Sequence, residues 1–447
     1  MSLSRKSLLA LAISAATASP LALALASQAE SQGFIEDSHL SFLARNMYWH
    51  HDYHTYKNSP QWDADRREWG QGLRLDYTSG YTQGTVGFGI DASAYGLIKL
   101  DGGRGHAGTA GVLVPDGEGA ADTAGSVGAN VKMRISNTEL KYGNNLRPYN
   151  PVFAAADARL VPGTATGLWL TSNEFSKANF EAAHLTAAKD FNSTNSDDDF
   201  WAAYAGVSTD TVDFVGGNFT ITDNLTASLY GSEYTDIWRQ YYGNLNYTFP
   251  ISDDQKLNFD FNIYQTDDDG KKKAGKIDTT AYSLAAAYTL GAHTFKLTYQ
   301  EIDGDQPFDY LGLGPGTFHD SIYLANSSQL VDFNGPNEKS YGAFYNLDFA
   351  SYGIPGLSFG IRYIKGTDID GSKLAGSGSA YAGLYAGADG EEHWERDVDI
   401  KYVVQSGPAK NLATRVRWAT HRISGAAGWD GDADQVRVIF EYPYEIF

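Results

Sequence analysis

Leu257, Phe259, Phe261 and Ile263 alternate with Asn258, Asp260 and Asn262, a period of two that gives a strand one apolar face and one polar face. The pattern returns elsewhere. Val86, Phe88 and Ile90 oppose Gly87, Gly89 and Asp91, and Val131, Met133 and Ile135 oppose Lys132, Arg134 and Ser136. Phe295, Leu297 and Tyr299 oppose Lys296, Thr298 and Gln300; Leu357, Phe359, Ile361 and Tyr363 oppose Ser358, Gly360 and Arg362. Short joints at 79–83, 251–255, 291–293, 353–356 and 407–410 separate longer polar stretches at 266–278, 303–340, 366–396 and 424–435, rich in Gly, Asp, Asn and Ser. Hairpins with short turns on one rim and long loops on the other predict an up-and-down antiparallel β-barrel. At ~9–11 residues per tilted strand plus connections, the chain divides into about 16 to 18 strands. Alternation begins by about Leu40, which leaves no room for an N-terminal plug and predicts a single barrel domain over residues 30–447.

The N-terminus decides what surrounds such a barrel. Arg5 and Lys6 precede an apolar run over residues 8–26 that ends in small residues, the pattern of a secretory signal peptide over residues 1–29. Cleavage after Ala26 and cleavage after Ala29 both satisfy the small-x-small rule, and Ser14, Thr17, Ser19 and Pro20 dilute the run below what a retained anchor needs. No later stretch approaches the ~20 apolar residues of a membrane helix. The mean hydropathy of −0.36 fits a barrel whose lumen is polar, with 29 Tyr, 22 Phe and 9 Trp supplying the lipid face and its girdles. An all-β transmembrane barrel in the outer membrane of a Gram-negative bacterium follows, with lipid and lipopolysaccharide around it. On the last strand Val436, Val438, Phe440 and Tyr442 face lipid, and the terminal Phe447 is a handle for the barrel-assembly machinery. The phase breaks near Pro443, where a local twist is expected.

Charge narrows the function. The chain has no cysteine, and its net charge of −20 becomes −22 without Arg5 and Lys6, which excludes the basic surface a nucleic-acid partner requires. The few cations are placed unevenly. Arg415 and Arg417 share the polar face of one strand; Arg362, Lys401 and Arg437 fall in the same lumenal phase on neighbouring strands. Such a column draws carboxylates along a narrow pore, although each cation also has a carboxylate such as Asp397 or Asp399 with which to prop up the wall. From Arg134 to Phe175 the pattern breaks into a Pro/Gly-punctuated apolar stretch too long for a turn. Folding it into the lumen narrows the pore and places Asp157, Arg159 and Pro162 near the constriction.

Other candidates carry less. His50, His51 and His54 with Asp52 lack a convergent distant ligand, and Asp430, Asp432, Asp434 and Glu441 copy calcium-loop spacing with Gln435 in place of the required Gly. Neither a metal nor a cofactor is expected. A membrane hydrolase, the competing class, needs a nucleophile paired with a histidine, and His184, His293, His319, His393 and His421 have no serine motif beside them. Small-molecule solutes are the expected partners of a channel, and no enzymatic activity is expected.

The stretch NPVFAAADARLVPGTATG resembles the OprD family of substrate-specific outer-membrane porins. So do GFIEDS, SGYTQGTVGFGIDA, ITDNLTASLYG, GDQPFDYLGLG, YLANSSQLVDFNGPNEKS, YGIPGLSFGIRYIKGTDIDG and YVVQSGPAKNL. The likeness runs from about Gly33 to Phe447 and is closest to the OprD-type branch. It implies an 18-stranded monomeric barrel, a third loop folded inward over residues 153–167 with Phe153 in it, and a basic ladder on Arg415, Arg417, Lys401 and Arg437. It also implies an acidic side of the eyelet at Asp305, Asp309 and Tyr310, near Phe308. Basic amino acids, small peptides and carbapenem antibiotics are the solutes that the branch implies, and other small carboxylates such as aromatic acids are the alternative.

Overall fold

In a computed structural model, described here for residues 27–54, 65–102, 111–117, 119–425 and 431–447, the alternation resolves into eighteen antiparallel strands. They are β1 His39–Tyr53, β2 Asp65–Thr78, β3 Val86–Asp101, β4 Thr123–Ile135, β5 Thr138–Leu146, β6 Thr164–Phe175, β7 Ala178–Lys189, β8 Val212–Thr222 and β9 Leu225–Tyr234. The circuit continues with β10 Trp238–Ser252, β11 Gln255–Asp268, β12 Asp278–Leu290, β13 His293–Asp303, β14 Lys339–Asp348, β15 Leu357–Asp370, β16 Asp389–Val403, β17 Ala413–Ile423 and β18 Ala433–Glu445. Each strand pairs with its neighbours in sequence, and β1 pairs with β18, so the sheet closes without a free edge. No helix of the described residues is long and apolar enough to cross a membrane.

The apolar faces point outward. Val127, Leu229 and Leu297 are 77%, 61% and 67% exposed, members of a band of bare aliphatic and aromatic side chains that only a lipid environment makes favourable. The polar faces point in, with Asp260, Asn262, Lys296 and Arg437 all buried against the lumen contents. The first described residues, the C-terminal residues and the short turns lie on one rim, the periplasmic rim of such a barrel. There Gln28 is buried: its amide donates to the carbonyls of Thr82 and Gly84 and its side-chain oxygen accepts from Arg134. A chain beginning at Glu30 would lack this anchor; residues 1–26 lie outside the described set.

Two expectations of strand layout change. The stretch from Arg134 to Phe175 contains a complete strand, β5, because Ser136 adopts a φ of 52° and lets a two-residue turn reverse the chain without glycine. The inward segment therefore spans 147–163, and Thr164 to Gly167 belong to the wall. Pro443 does not interrupt the ladder: β18 pairs with β1 in unbroken register from Ala433 to Glu445, and only Ile446 and Phe447 lie beyond the strand.

Long loops fill the outer half of the lumen and pack on one another. Phe153 of the 147–163 loop lies between Phe214 and Phe200, with ring centroids 5.9 and 5.8 Å away. Phe308, Leu311 and Leu313 of the 304–338 loop join the same apolar cluster with Tyr234, Trp238 and Tyr264 from the wall. Burying several large side chains at roughly 1.5–3 kcal/mol each is what fixes loops that a water-filled pore would leave loose.

Candidate functional site

The 147–163 loop is tied to the wall from both ends. Asn150 Oδ1 accepts from the backbone N–H of Val152 and of Phe153, at 3.1 and 2.8 Å, which turns the chain inward. Tyr234 and Tyr264 donate their hydroxyls to the carbonyls of Val152 and Pro151. Further on, Leu160 lies against β2 where a Cβ on Gly72 would meet the Leu160 carbonyl oxygen at 2.6 Å, so only glycine admits the loop there. Lys189 reaches the Pro162 carbonyl at 3.3 Å.

Asp157 is the electrostatic pin of this loop. Arg74 grips it with two hydrogen bonds of 2.9 and 2.5 Å, and Arg45 adds a third of 2.8 Å. Burial alone would raise this carboxyl, but the Arg74 hydrogen bonds and the Arg45 charge outweigh it and hold it below the usual carboxylate range. Arg159 lies over the Trp49 ring at 4.1 Å and the Phe191 ring at 5.0 Å, and burial pulls its guanidinium down to about 10. Asp157 and Arg159 thus lie on the inward loop and are held against the wall by partners on β1 and β2 that the sequence does not announce.

The five ladder cations all point inward and form an arc over β15 to β18. Arg362 pairs with Asp397, directly opposite it on β16. Arg415 holds Asp399 through Nε at 2.9 and 3.0 Å, and Arg417 reaches the same carboxylate at 3.4 Å. Arg417 and Arg437 are direct cross-strand partners, as are Lys401 and Arg415. Like charges set opposite each other repel, and the repulsion is met by one shared carboxylate and by the Trp49 ring, 3.6 Å from the Arg437 guanidinium carbon. The closing of β18 on β1 extends the arc to Arg45 and Arg74.

The 304–338 loop is clamped onto this arc. Glu395 accepts from the backbone N–H groups of Gln329, Leu330 and Val331, each at 2.9 Å. Arg437 donates to the Gln329 carbonyl at 2.8 Å and Arg362 to that of Ser327 at 3.4 Å. His319 accepts from the Ala156 N–H on Nδ1, so its proton lies on Nε2, which donates to Asp190 at 3.1 Å. The two inward loops are thereby joined.

The residues expected on the acidic side lie elsewhere. Asp309 is buried in the loop core, where its carboxylate accepts from the N–H groups of Tyr204, Ala205 and Tyr310 and from the Tyr381 hydroxyl. Burial outweighs these donors and pushes its carboxyl up to about 6. Tyr310 is buried too and donates to Asp332 at 2.6 Å, and Asp305 pairs outside with Lys373 at 2.9 Å. None of the three presents its polar group to the constriction. Asp320, by contrast, lies against the inward 147–163 loop: it is half-buried beside the exposed Tyr149, and burial raises its carboxyl while His319 and Arg159 draw it back. No short motif marked Asp320; its place depends on a loop returning across the lumen.

The histidine cluster separates because alternation sends neighbouring residues to opposite faces. His50 pairs outside with Asp65, His51 points inward to Gln435, and His54 reaches Asp434. Asp434 also pairs with Arg422, and Glu441 lies seven residues further along the strand beside Arg45, so they do not converge; Asp430 lies outside the described residues.

A closed eighteen-stranded barrel with a bare apolar belt, and with inward loops that leave a charged eyelet, is a membrane porin. The chain belongs to the OprD family of outer membrane porins. A profile of the family described as outer membrane porin, OprD family, matches residues 32–446. Porin D of Pseudomonas aeruginosa is 51% identical over 422 residues, 94% of this chain and 93% of that protein. An improved crystal structure of Pseudomonas aeruginosa OprD superposes with a TM-score of 0.82 at 49% identity, covering 95% of this chain and 99% of that one. A crystal structure of Pseudomonas aeruginosa OpdK with vanillate superposes with a TM-score of 0.80 at 29% identity, over 92% of this chain and 100% of that one. The protein is thus a porin of the Gram-negative outer membrane, and small solutes are its cargo.

Proposed function

We propose that the pore passes small carboxylate-bearing solutes by passive diffusion, with basic amino acids and small peptides as its main cargo and carbapenem-like antibiotics as chemical relatives of that cargo. The observation that carries this reading is the asymmetry of the eyelet. Arg362, Arg415, Arg417 and Arg437 crowd one wall, while Asp320 and Tyr149 lie beside Arg159 at the inward loop. A solute with a carboxylate at one end and an ammonium or guanidinium at the other finds a partner for each, and water lost at the narrowing is replaced by fixed charge. Arg415 keeps 38% of its side chain exposed and so retains donors for a solute carboxylate. The same arc serves aromatic acids, and the relative solved with vanillate, an aromatic carboxylate, favours that as the second reading. Phe447 serves as the handle for the barrel-assembly machinery, and transport by a channel, without turnover, is the activity.

Replacing Arg415 and Arg417 together by Ala tests the reading. Reversal potentials in a salt gradient should shift toward cation selectivity, and liposome swelling with glutamate and benzoate should slow relative to a neutral sugar. Swelling with arginine beside these solutes separates the two cargo classes. Unchanged reversal potentials would remove the ladder from the account.

A further inference from the structure

One lumenal cation stands apart from the arc. Lys296 points inward from β13, is 6% exposed, and lies with its ammonium 4.0 Å from the centre of the Phe344 ring. Among the described residues that ammonium has no hydrogen bond and no ion pair. Every ladder arginine contrasts with it by having a carboxylate or carbonyl acceptor. Holding an ammonium away from bulk water without a counter-charge is costly. An aromatic face offsets only part of that cost, on the order of 0.5–2 kcal/mol.

Its position gives the missing partner an address. Lys296 is the direct cross-strand partner of Phe344, Phe344 of Arg362, and Arg362 of Asp397, so the four form one row around the wall. With strands ≈ 4.8 Å apart, Lys296 and Arg362 arise about 10 Å from each other, with one ring between them. The loop that clamps the arc roofs this row as well: the Thr298 hydroxyl, two residues along β13, donates to Asn326, and Arg362 donates to Ser327. Asp260 on β11, the acidic residue on this side, gives its oxygens to Asn244, Asn246 and Asn262; its charge reaches the ammonium, as that of Arg362 does in the opposite sense, but it makes no hydrogen bond or ion pair with it.

We propose that Lys296 is a specificity-determining residue of the pore, the point where a second negative group of a dicarboxylate such as glutamate binds while its first is held by the arginine arc. The proposal rests on the carboxylate reading above and deepens it. It adds a cation on the far side of Phe344, so a solute with two carboxylates is matched at both ends, whereas a basic amino acid passes with its tail turned away from β13.

The experiment compares wild type, Lys296→Gln and Lys296→Arg in planar bilayers and in liposome swelling with glutamate and with arginine. Potassium chloride conductance confirms an assembled pore in each case. Lys296→Gln should lower the glutamate-to-arginine permeation ratio several-fold, and Lys296→Arg should restore it. If the ratio is unchanged in Lys296→Gln while the Arg415/Arg417 double variant still shifts selectivity, the role of Lys296 is overturned and the ladder stands. If neither variant moves selectivity, the carboxylate reading itself fails.

Discussion

Further round the wall from the arginine arc, β10 and β11 carry Tyr242, Asn244, Asn246, Asn258, Asp260 and Asn262 on the same inward phase. Their polar groups are spent on one another. Asn244 donates to Asp260 at 2.9 Å and to Asn262 at 3.0 Å, Asn246 donates to Asp260 at 2.8 Å, and the Tyr242 hydroxyl reaches Asn262 at 2.6 Å. On the arc, donors exceed acceptors: Arg415 and Arg417 share Asp399, and Arg45 and Arg74 share Asp157. Both walls use one strand geometry and both are polar. A saturated network offers a passing solute little, whereas a wall with surplus donors offers binding at every step, so recognition belongs to the second wall.

The strongest way to break that contrast is to take away an acceptor the arc depends on. Asp157→Ala leaves Arg45 and Arg74 close together without their shared counter-ion and releases the loop that narrows the pore. Charge-assisted hydrogen bonds contribute about 1.5–3 kcal/mol each, and three are lost. Single-channel conductance should rise by about twofold or more, with anion preference strengthened, since conductance follows the constriction and its charge. Unaltered conductance would mean that packing alone holds the loop. Because the Asp157 carboxyl is held below its ordinary range, the pin is intact above that range and is lost only as pH falls through the depressed value. The loop should therefore stay pinned, and the pore narrowed, at neutral and mildly acidic pH.

Asp309 behaves in the opposite sense, and the difference sharpens what the loops contribute. Its carboxyl is raised to about 6 by burial, so the folded loop favours the protonated form. The penalty is absent below the unfolded carboxylate value near pH 4, grows as pH rises, and is complete above about 6. A shift of this size corresponds to about 3 kcal/mol. Amide exchange of Tyr204, Ala205 and Tyr310, corrected for intrinsic rates, should show more protection at pH 5 than at pH 7.5. Asp309→Asn should flatten that dependence.

How much of this the sequence discloses depends on the range of the contacts. Inward phase is local: Arg415 and Arg417 two apart, or Lys296 between Phe295 and Leu297, declare their face through a period of two. The arc follows, since consecutive strands pair and their registers are short-range. Loop destinations are not local. Asp309 and Asp320 sit eleven residues apart in one loop, yet one is enclosed by residues from 204 to 381 and the other is half-buried beside Tyr149 and Arg159 of the inward loop. Nothing in the spacing separates them, because the deciding contacts come from other loops. β5 was hidden for a different reason: its turn takes a left-handed serine, where a glycine would have announced it.

The smallest effect is expected on the saturated wall, and there the contrast is most exposed to refutation. Asp260→Asn removes the carboxylate charge that faces the lumen from β11. The substituted amide still accepts from Asn244 and Asn246 through its oxygen, but its NH2 group faces the Asn262 amide, which now donates to Asp260 at 2.7 Å. One strained or lost hydrogen bond costs about 1 kcal/mol, which a closed barrel absorbs. Reversal potential and arginine permeation should therefore move much less than in the Arg415/Arg417 double variant. A shift as large as the ladder's would show that Asp260 acts on the solute directly, and selectivity would then belong to both walls.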